Sequence, residues 1–77
     1  MQYARSVLGE KQAIVVDVRP FDVHGVGYVD VTLTYRDRSV ETARLGRESV
    51  PDGIGAGDEV VVRTAANMVV AIERSPD

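Results

Sequence analysis

The stretch GDEVVVRTAANMVVAIER, residues 57–74, holds two apolar runs on either side of a short polar interruption. Both runs are rich in valine and isoleucine, whose β-branched side chains lose rotamer freedom in a helix and suit a pleated sheet. Apolar positions alternate with a period of two on each side, and no polar stripe recurs at helical spacing. The stretch predicts two antiparallel strands, 58–64 and 68–74, joined by a three-residue loop in which Asn67 adopts the left-handed conformation.

The segment QAIVVDVR, residues 12–19, shows the same alternation and predicts another strand. The pattern places Ile14, Val16 and Val18 on one face, and this face is expected to point into the core. Pro20 is expected to end the strand because proline cannot donate a hydrogen bond to the ladder.

A further hairpin is predicted where GYVDVTLTYR, residues 27–36, runs through a polar turn into SVETARL, residues 39–45. One register sets hydroxyls beside each other and opposite charges across the strands, which stabilises an antiparallel pair. A shift by one residue would place Arg44 beside Val31. The predicted pairs are Thr34 with Val40, Thr32 with Thr42, Asp30 with Arg44, Val31 with Ala43, and Val29 with Leu45.

Together these segments predict five strands, two tight hairpins and no helix. An open five-stranded sheet would expose an apolar face and two unpaired edges, whereas a small barrel hides both. The predicted fold class is therefore all-β, a small antiparallel barrel of five strands, or of six if the N-terminal segment adds one. The residues expected in its core are Ile14, Val16, Val18, Val29, Val31, Leu33, Val60, Val62, Val70 and Ile72.

The chain of 77 residues is of a size for one domain, residues 1–77. Residues 46–57 are rich in glycine and predict a loop, held down by Val50 and Ile54. Residues 1–11 are expected to form either an edge strand or a cap over the core. The tail, residues 75–77, is expected to fray.

The strand pattern, with the generic entry GDEVVV at residues 57–62, resembles the OB-fold and SH3-like small barrels over residues 12–74. This resemblance implies a five-stranded antiparallel barrel and names no specific family. An OB-like topology is preferred because a tight turn joins the last two strands. OB-folds commonly place a helix between the third and fourth strands, and its absence here leaves the SH3-like alternative open.

Composition excludes several function classes. The chain has no cysteine and one histidine, so no disulfide, thiolate nucleophile or usual histidine metal cage is available, and no metal or cofactor is predicted. Twelve acidic residues against nine basic ones disfavour nucleic acid binding through the overall field. No apolar stretch reaches the length of a membrane span, and the lack of cysteine fits a reducing compartment, so a cytoplasmic location is predicted.

The segment RPFDVHGVG, residues 19–27, is the most informative candidate for binding, since it offers an arginine, the single phenylalanine and the single histidine. Either it binds a ligand at the edge that OB-folds use, or Phe21 and Val23 plug the barrel end while His24 lies in solvent. Asp22 and His24 resemble a fragment of a catalytic pair, but no nucleophile completes it, and no catalytic residue is predicted. The candidate binding surface comprises Arg19, Phe21, His24, Tyr28, Arg36 and Arg38.

An aromatic and basic surface of this kind is typical of single-stranded nucleic acid binding. In the predicted register, however, Tyr28 and Tyr35 point to opposite faces and do not form one platform. Several nearby aspartates would repel phosphate.

Apolar residues on the second faces of the strands exceed what a small core holds, so another subunit or the N-terminal segment is expected to cover them. The sequence therefore predicts a non-catalytic module for protein–protein contact or self-association as a homo-oligomer. The alternative is single-stranded nucleic acid binding, and an enzyme is the least favoured class. The candidate interface comprises Val15, Val61, Val69 and Ala71.

Overall fold

The computed structural model describes residues 8–76, which form one antiparallel sheet and confirm the all-β fold class. The strand order is β3-β2-β1-β4-β5. The edge strands β3 and β5 both contribute to a single core but are not hydrogen-bonded to each other, so the sheet does not close into a barrel. The elements are β1 Leu8–Val23, β2 Val26–Tyr35, β3 Val40–Gly46, a 3-10 turn Arg47–Ser49, β4 Glu59–Ala65 and β5 Met68–Arg74.

Strand β1 is long because it is shared between two neighbours. Its residues 8–14 pair with β4 and its residues 13–23 pair with β2. Pro20 lies within this strand, opposite Val29, so the prediction that it ends the strand is wrong. Beyond residue 15, β1 pairs only with β2, and its other side is a free edge. Counted from the hairpin turn, the alternation of hydrogen bonds directs the backbone nitrogen of Pro20 to this free edge, away from β2. Proline is tolerated at such an edge position.

A β-bulge in β1 decides which of its side chains reach the core. Val15 is opposite Leu33 and Asp17 is opposite Thr32, which leaves Val16 as the extra residue. Val15 is therefore buried, with 1% of its surface exposed, whereas Val16 is 46% exposed. The bulge reverses the predicted alternation, so the predicted core placement of Ile14 and Val16 is wrong. Ile14 is 45% exposed.

Past the bulge the alternation resumes with the opposite parity, and Val18 packs against the core as predicted.

A second bulge interrupts the β4–β5 hairpin. Arg63 is opposite Ala71 and Thr64 is opposite Val69, which leaves Val70 without a partner. Val70 is 47% exposed, so its predicted place in the core is wrong, and Val69 packs against the core in its stead.

The connection between these two strands is shorter than predicted, because Ala65 and Met68 already pair and only two residues form the loop. Ala66 and Asn67 have φ values of 51° and 67°, as a type I′ hairpin turn requires. The left-handed conformation predicted for Asn67 is confirmed, and the three-residue loop is corrected to two residues.

The β2–β3 hairpin has every pair that the sequence predicts. The hydroxyl oxygens of Thr32 and Thr42 lie 2.9 Å apart. The Arg44 guanidinium donates two hydrogen bonds to the Asp30 carboxylate, at 3.0 and 3.2 Å. Tyr35 donates its backbone N–H to the carbonyl oxygen of Ser39 at 3.0 Å, which closes the hairpin.

One hydrophobic core joins all five strands and the loop that follows β3. Ile54 is buried and Val50 packs against the core, so both anchor residues 46–57 as predicted. Residues 8–11 belong to β1, and the possible edge strand or cap over residues 1–7 lies outside the described residues. The buried side chains are those of Ala13, Val15, Val29, Val31, Leu33, Ala43, Leu45, Ile54, Val60, Val62 and Ile72.

At the other end of the chain, Ser75 donates its backbone N–H to the carbonyl of Glu59 at 3.2 Å, which extends the pairing past β5. Residues 8–76 contain no helix of the length and apolar character needed to cross a membrane.

The bulge generates a prediction at two adjacent valines. Val15→Thr places a hydroxyl in the core and should lower the free energy of unfolding by about 1–3 kcal/mol. Val16→Thr lies on the surface and should change it by less than about 0.5 kcal/mol. Urea denaturation at low protein concentration measures both values. Equal losses in the two variants would contradict the position of the bulge.

Candidate binding surface

The surface of β1, β2 and β3 that points away from the core carries three of the six predicted binding residues, and we call it the outer face. Backbone pairing arranges its side chains in rows across the three strands. From one end to the other the rows are Val40–Thr34–Ile14, Thr42–Thr32–Asp17, Arg44–Asp30–Arg19 and Phe21–Tyr28.

The last row is an aromatic pair. Phe21 and Tyr28 are cross-strand neighbours whose ring centroids lie 5.7 Å apart, with 25° between the ring planes. The guanidinium carbon of Arg44 lies 4.5 Å from the centroid of the Phe21 ring, within the range of a cation–π contact. Phe21 is half-buried on the outer face and does not belong to the core, so the interpretation as a barrel plug is wrong.

The segment that contains Phe21 is also not a loop. Strand β1 continues to Val23 and turns back through His24 and Gly25, whose φ values are 50° and 82°. A two-residue type I′ turn therefore joins β1 and β2. The regular ribbon fixes the positions of Phe21 and Tyr28 more firmly than a flexible loop would.

Three arginines near the aromatic pair are each paired with an aspartate. The shortest distances between charged atoms are 3.0 Å for Arg44 with Asp30, 3.0 Å for Arg19 with Asp17, and 3.8 Å for Arg47 with Asp22. The hydrogen bond from Arg44 lowers the pKa of Asp30 below its usual value, and partial desolvation opposes this shift. Within each pair the positive and negative charges cancel, so this part of the surface has little net charge.

The opposite end of the outer face is apolar. Val40 is 63% exposed. Ile14 lies in the same row, Val16 lies beside it, and both point outward. We call these three residues, Ile14, Val16 and Val40, the apolar row.

The apolar row differs from the predicted interface. Val15 is buried and Val69 packs against the core, so neither is available as predicted. Val61 and Ala71 are half-buried on β4 and β5. The excess apolar surface that the sequence indicates is present. Ile14 and Val16, the neighbours of Val15, carry part of it, and Leu8, Met68 and Val70 are also exposed.

The remaining predicted residues lie away from the aromatic pair. His24 is exposed in the β1–β2 turn. Arg36 and Arg38 are exposed in the β2–β3 turn, at the far end of β2 from Tyr28. The structure thus brings Arg19, Phe21 and Tyr28 of the predicted set onto one face and separates the others from them.

The second tyrosine of the predicted hairpin lies on the inner side, as expected from the alternation. Tyr35 packs against the core and donates its hydroxyl to the Glu41 carboxylate at 2.7 Å. Burial and this hydrogen bond raise the pKa of Tyr35 well above its usual value. Tyr35 therefore stays a neutral donor and takes no part in an outer aromatic surface.

Residues 8–76 contain no group of three or more histidine, cysteine or acidic side chains placed to hold a metal ion. The Asp22 carboxylate lies 3.8 Å from the guanidinium of Arg47, and His24 is exposed in the β1–β2 turn. The outer face itself carries aliphatic, aromatic and paired charged groups.

Comparisons of the chain with protein-family models, with curated proteins and with solved structures give no match. Functional inference therefore starts from the arrangement of side chains on the outer face.

The Asp30–Arg44 pair generates a pH prediction. Arg44→Gln removes the guanidinium, so the pKa of Asp30 should rise toward its ordinary value of 3.8, as measured by carboxyl carbon NMR. A lowered folded pKa adds stability that is present above the unfolded pKa and is lost as pH falls through the folded pKa. The unfolding free energy of Arg44→Gln should therefore fall less on acidification than that of the unmodified chain.

Arg63→Gln is the matched control. Arg63 donates to Glu73 at 2.7 Å and lowers the pKa of that carboxylate. This variant should raise the pKa of Glu73 and leave that of Asp30 unchanged. A shift of Asp30 in both variants would show that the bidentate pair is not its cause.

Proposed function

We propose that the domain is a non-catalytic binding module that makes protein–protein contact through the outer face of β1, β2 and β3. The observation that carries this proposal is the apolar row, whose members are between 45% and 63% exposed. Single exposed aliphatic side chains are ordinary, but several on one sheet face favour a partner. Here Ile14 and Val40 lie on either side of Thr34, and Val16 lies beside Ile14.

The surroundings of the apolar row also favour a protein partner. Protein interfaces combine an apolar centre with a polar rim, and they are enriched in aromatic residues and arginine. On the outer face, threonines and paired charges lie beside the apolar row, and Phe21, Tyr28 and Arg44 lie beyond them. A rim of already paired charges limits the desolvation cost of binding, since these groups need no new partner.

We also propose that the fold is OB-like rather than SH3-like. Strand β1 is shared between β2 and β4, and the order β3-β2-β1-β4-β5 leaves β3 and β5 as the two edges of the sheet. This strand order is compatible with the partly open barrel of an OB-fold. OB-folds use the face of strands 2 and 3 for binding. The outer face described above includes that surface, which supports the same location for contact.

Photo-crosslinking tests the outer face directly. A benzophenone side chain in place of Val16 should form crosslinks to a protein in cells, whether to another copy or to a different protein. The same group in place of Val70 is the matched control, because Val70 is 47% exposed but lies on β5. Mass spectrometry identifies the crosslinked products. Equal yields at both positions, or none at residue 16, would reject the proposed surface.

Ile14→Lys strengthens this test because it places a charge in the apolar row. The crosslink yield at residue 16 should fall about tenfold or more, which corresponds to about 1.4 kcal/mol of lost binding free energy. The thermal unfolding midpoint should change little, since Ile14 is not part of the core. Loss of the fold in this variant would move the test to Ile14→Thr, for which the expected direction is the same.

A second candidate function is single-stranded nucleic acid binding, which the stacked Phe21–Tyr28 pair and the neighbouring Arg44 favour. Three aspartates next to the arginines oppose it. We expect fluorescence titrations with oligo-dT and oligo-U at low salt to show no binding up to about 100 μM protein, where even non-specific binders usually respond. Binding that Phe21→Ala abolishes would replace the protein-binding proposal with this one.

We further propose that the module acts in the cytoplasm, which rests on the absence of cysteine from the sequence.

A further inference from the structure

The turn at Asp52 and Gly53, in the loop between β3 and β4, carries a chemistry that goes beyond the partner site on the outer face. Both residues are exposed in this turn. Asp52 is the only aspartate in the sequence that is followed by a glycine. We propose that this turn is a site of spontaneous isoaspartate formation, and that the guanidinium of Arg74 promotes the reaction in the folded chain.

The reaction begins with attack of the Gly53 backbone nitrogen on the protonated form of the Asp52 carboxyl. A bond forms between this nitrogen and Cγ of Asp52, and the bond from Cγ to its hydroxyl oxygen breaks. The hydroxyl group leaves as water together with the proton of the Gly53 N–H. The product is a five-membered succinimide ring, which is lighter than the original chain by one water molecule.

Water then opens the ring at one of its two carbonyl carbons. The water oxygen bonds to that carbon, the bond from the carbon to the Gly53 nitrogen breaks, and a proton returns to the nitrogen. Opening at Cγ restores aspartate, whereas opening at the main-chain carbonyl carbon of Asp52 leaves the chain linked through the side chain, as isoaspartate. The overall change is an isomerisation, so it needs no oxidant or reductant.

The two reacting groups lie at the surface. The ion pairs within residues 8–76 do not include the Asp52 carboxylate. Gly53 has a φ of +79°, a conformation that favours glycine, and glycine places no side chain beside the attacking nitrogen. The carboxyl therefore has no ion pair to break, and the nitrogen has no side chain of its own residue to shield it.

The contact that distinguishes this turn comes from Arg74, at the end of β5. Its Nη2 donates a hydrogen bond of 2.6 Å to the carbonyl oxygen of Asp52. This oxygen belongs to the amide whose nitrogen is the nucleophile, so negative charge develops on it as the N–H proton leaves. A positive donor placed at such an oxygen stabilises the developing charge, as the donors of an oxyanion hole do. Arginine stays charged in proteins, so this donor is always available.

The anchoring of the loop acts in the opposite direction. Val50 packs against the core and Ile54 is buried, so the turn between them is held on both sides. The hydrogen bond from Arg74 adds to this restraint, and a held turn reaches the ring geometry less often than a free one. The two effects of Arg74 have opposite signs. Its loss slows isomerisation where charge stabilisation is the larger effect, and accelerates it where the restraint is larger.

Isoaspartate would alter the loop that these anchors hold. The modified main chain passes through the side-chain carbons of Asp52 and gains one carbon atom between Val50 and Ile54. The carbonyl group that accepts the hydrogen bond from Arg74 is converted to part of a free carboxylate. The reaction therefore changes the connection between this loop and β5.

Peptide mapping measures the reaction in the full chain after incubation at neutral pH. Trypsin cleaves after Arg47 and Arg63 and releases residues 48–63 as a peptide that contains Asp52. Chromatography separates its aspartate and isoaspartate forms, and electron-transfer dissociation identifies the modified residue. Asp52→Glu should abolish the product, because its longer side chain would have to close a six-membered ring.

Arg74→Gln and Arg63→Gln are matched variants, since each removes one guanidinium from the β4–β5 hairpin, and the two side chains are 55% and 45% exposed. In the folded chain Arg74→Gln should slow isoaspartate formation about tenfold, because it removes a hydrogen bond to a developing charge. Arg63→Gln should leave the rate unchanged. In urea, where the contact is absent, all three chains should react equally fast.

Arg74→Lys, which lacks the planar guanidinium, replaces Arg74→Gln should that variant unfold, and the expected direction is the same. Three results would overturn the inference. They are an equal or faster rate in the folded Arg74 variant, the same slowing of that variant in urea, and no isoaspartate at residue 52 of the unmodified folded chain.

Discussion

The backbone of Val15 makes the contact on which the rest of the sheet depends. Its N–H donates to the carbonyl of Asp58 at 2.9 Å, and its carbonyl accepts from the N–H of Gly57 at 2.8 Å. Gly57 has a φ of +93°, a conformation that favours glycine, so this residue lets the chain turn into β4 while it binds β1. Directly afterwards Val16 forms the bulge, and β1 leaves β4 and continues with β2 alone. One strand thereby serves both halves of the sheet and one core.

The same bulge creates the candidate surface. Val15 fills the core, and Ile14 and Val16 on either side of it point outward. A small chain hides a limited share of its apolar surface, and some exposed aliphatic groups follow from size alone. Yet the packing of the described residues does not require an aliphatic side chain at either position, where threonine would suit the strand equally well. Under the proposed function, these two side chains serve contact with a partner.

Sequence reasoning reached the parts of the structure that depend on neighbouring residues. The β2–β3 register was predictable because its period of two is unbroken and its pairs differ in chemistry. The bulges at Val16 and Val70 leave no local signal, since each lies in a run of similar apolar residues. The continuation of β1 past Pro20 depends on the absence of β4 there, which only the assembled sheet determines. The candidates Phe21 and Tyr28 were recognised from the sequence. The position of Arg44 over the Phe21 ring was not, because it too depends on the assembled sheet.

The contacts of Arg44 also distinguish the two ends of the outer face as candidate binding sites. Arg44 binds Asp30 with two hydrogen bonds and lies over the ring of Phe21, whose neighbour is Tyr28. A base that stacked on Phe21 would have to displace this guanidinium and leave the Asp30 carboxylate without its partner, which costs free energy. A partner that covers the exposed aliphatic side chains around Ile14 displaces only water and gains free energy from the buried apolar area. The aromatic end is thus satisfied within the chain, whereas the side chains of the apolar end stay exposed and, under the proposed function, are covered by a partner.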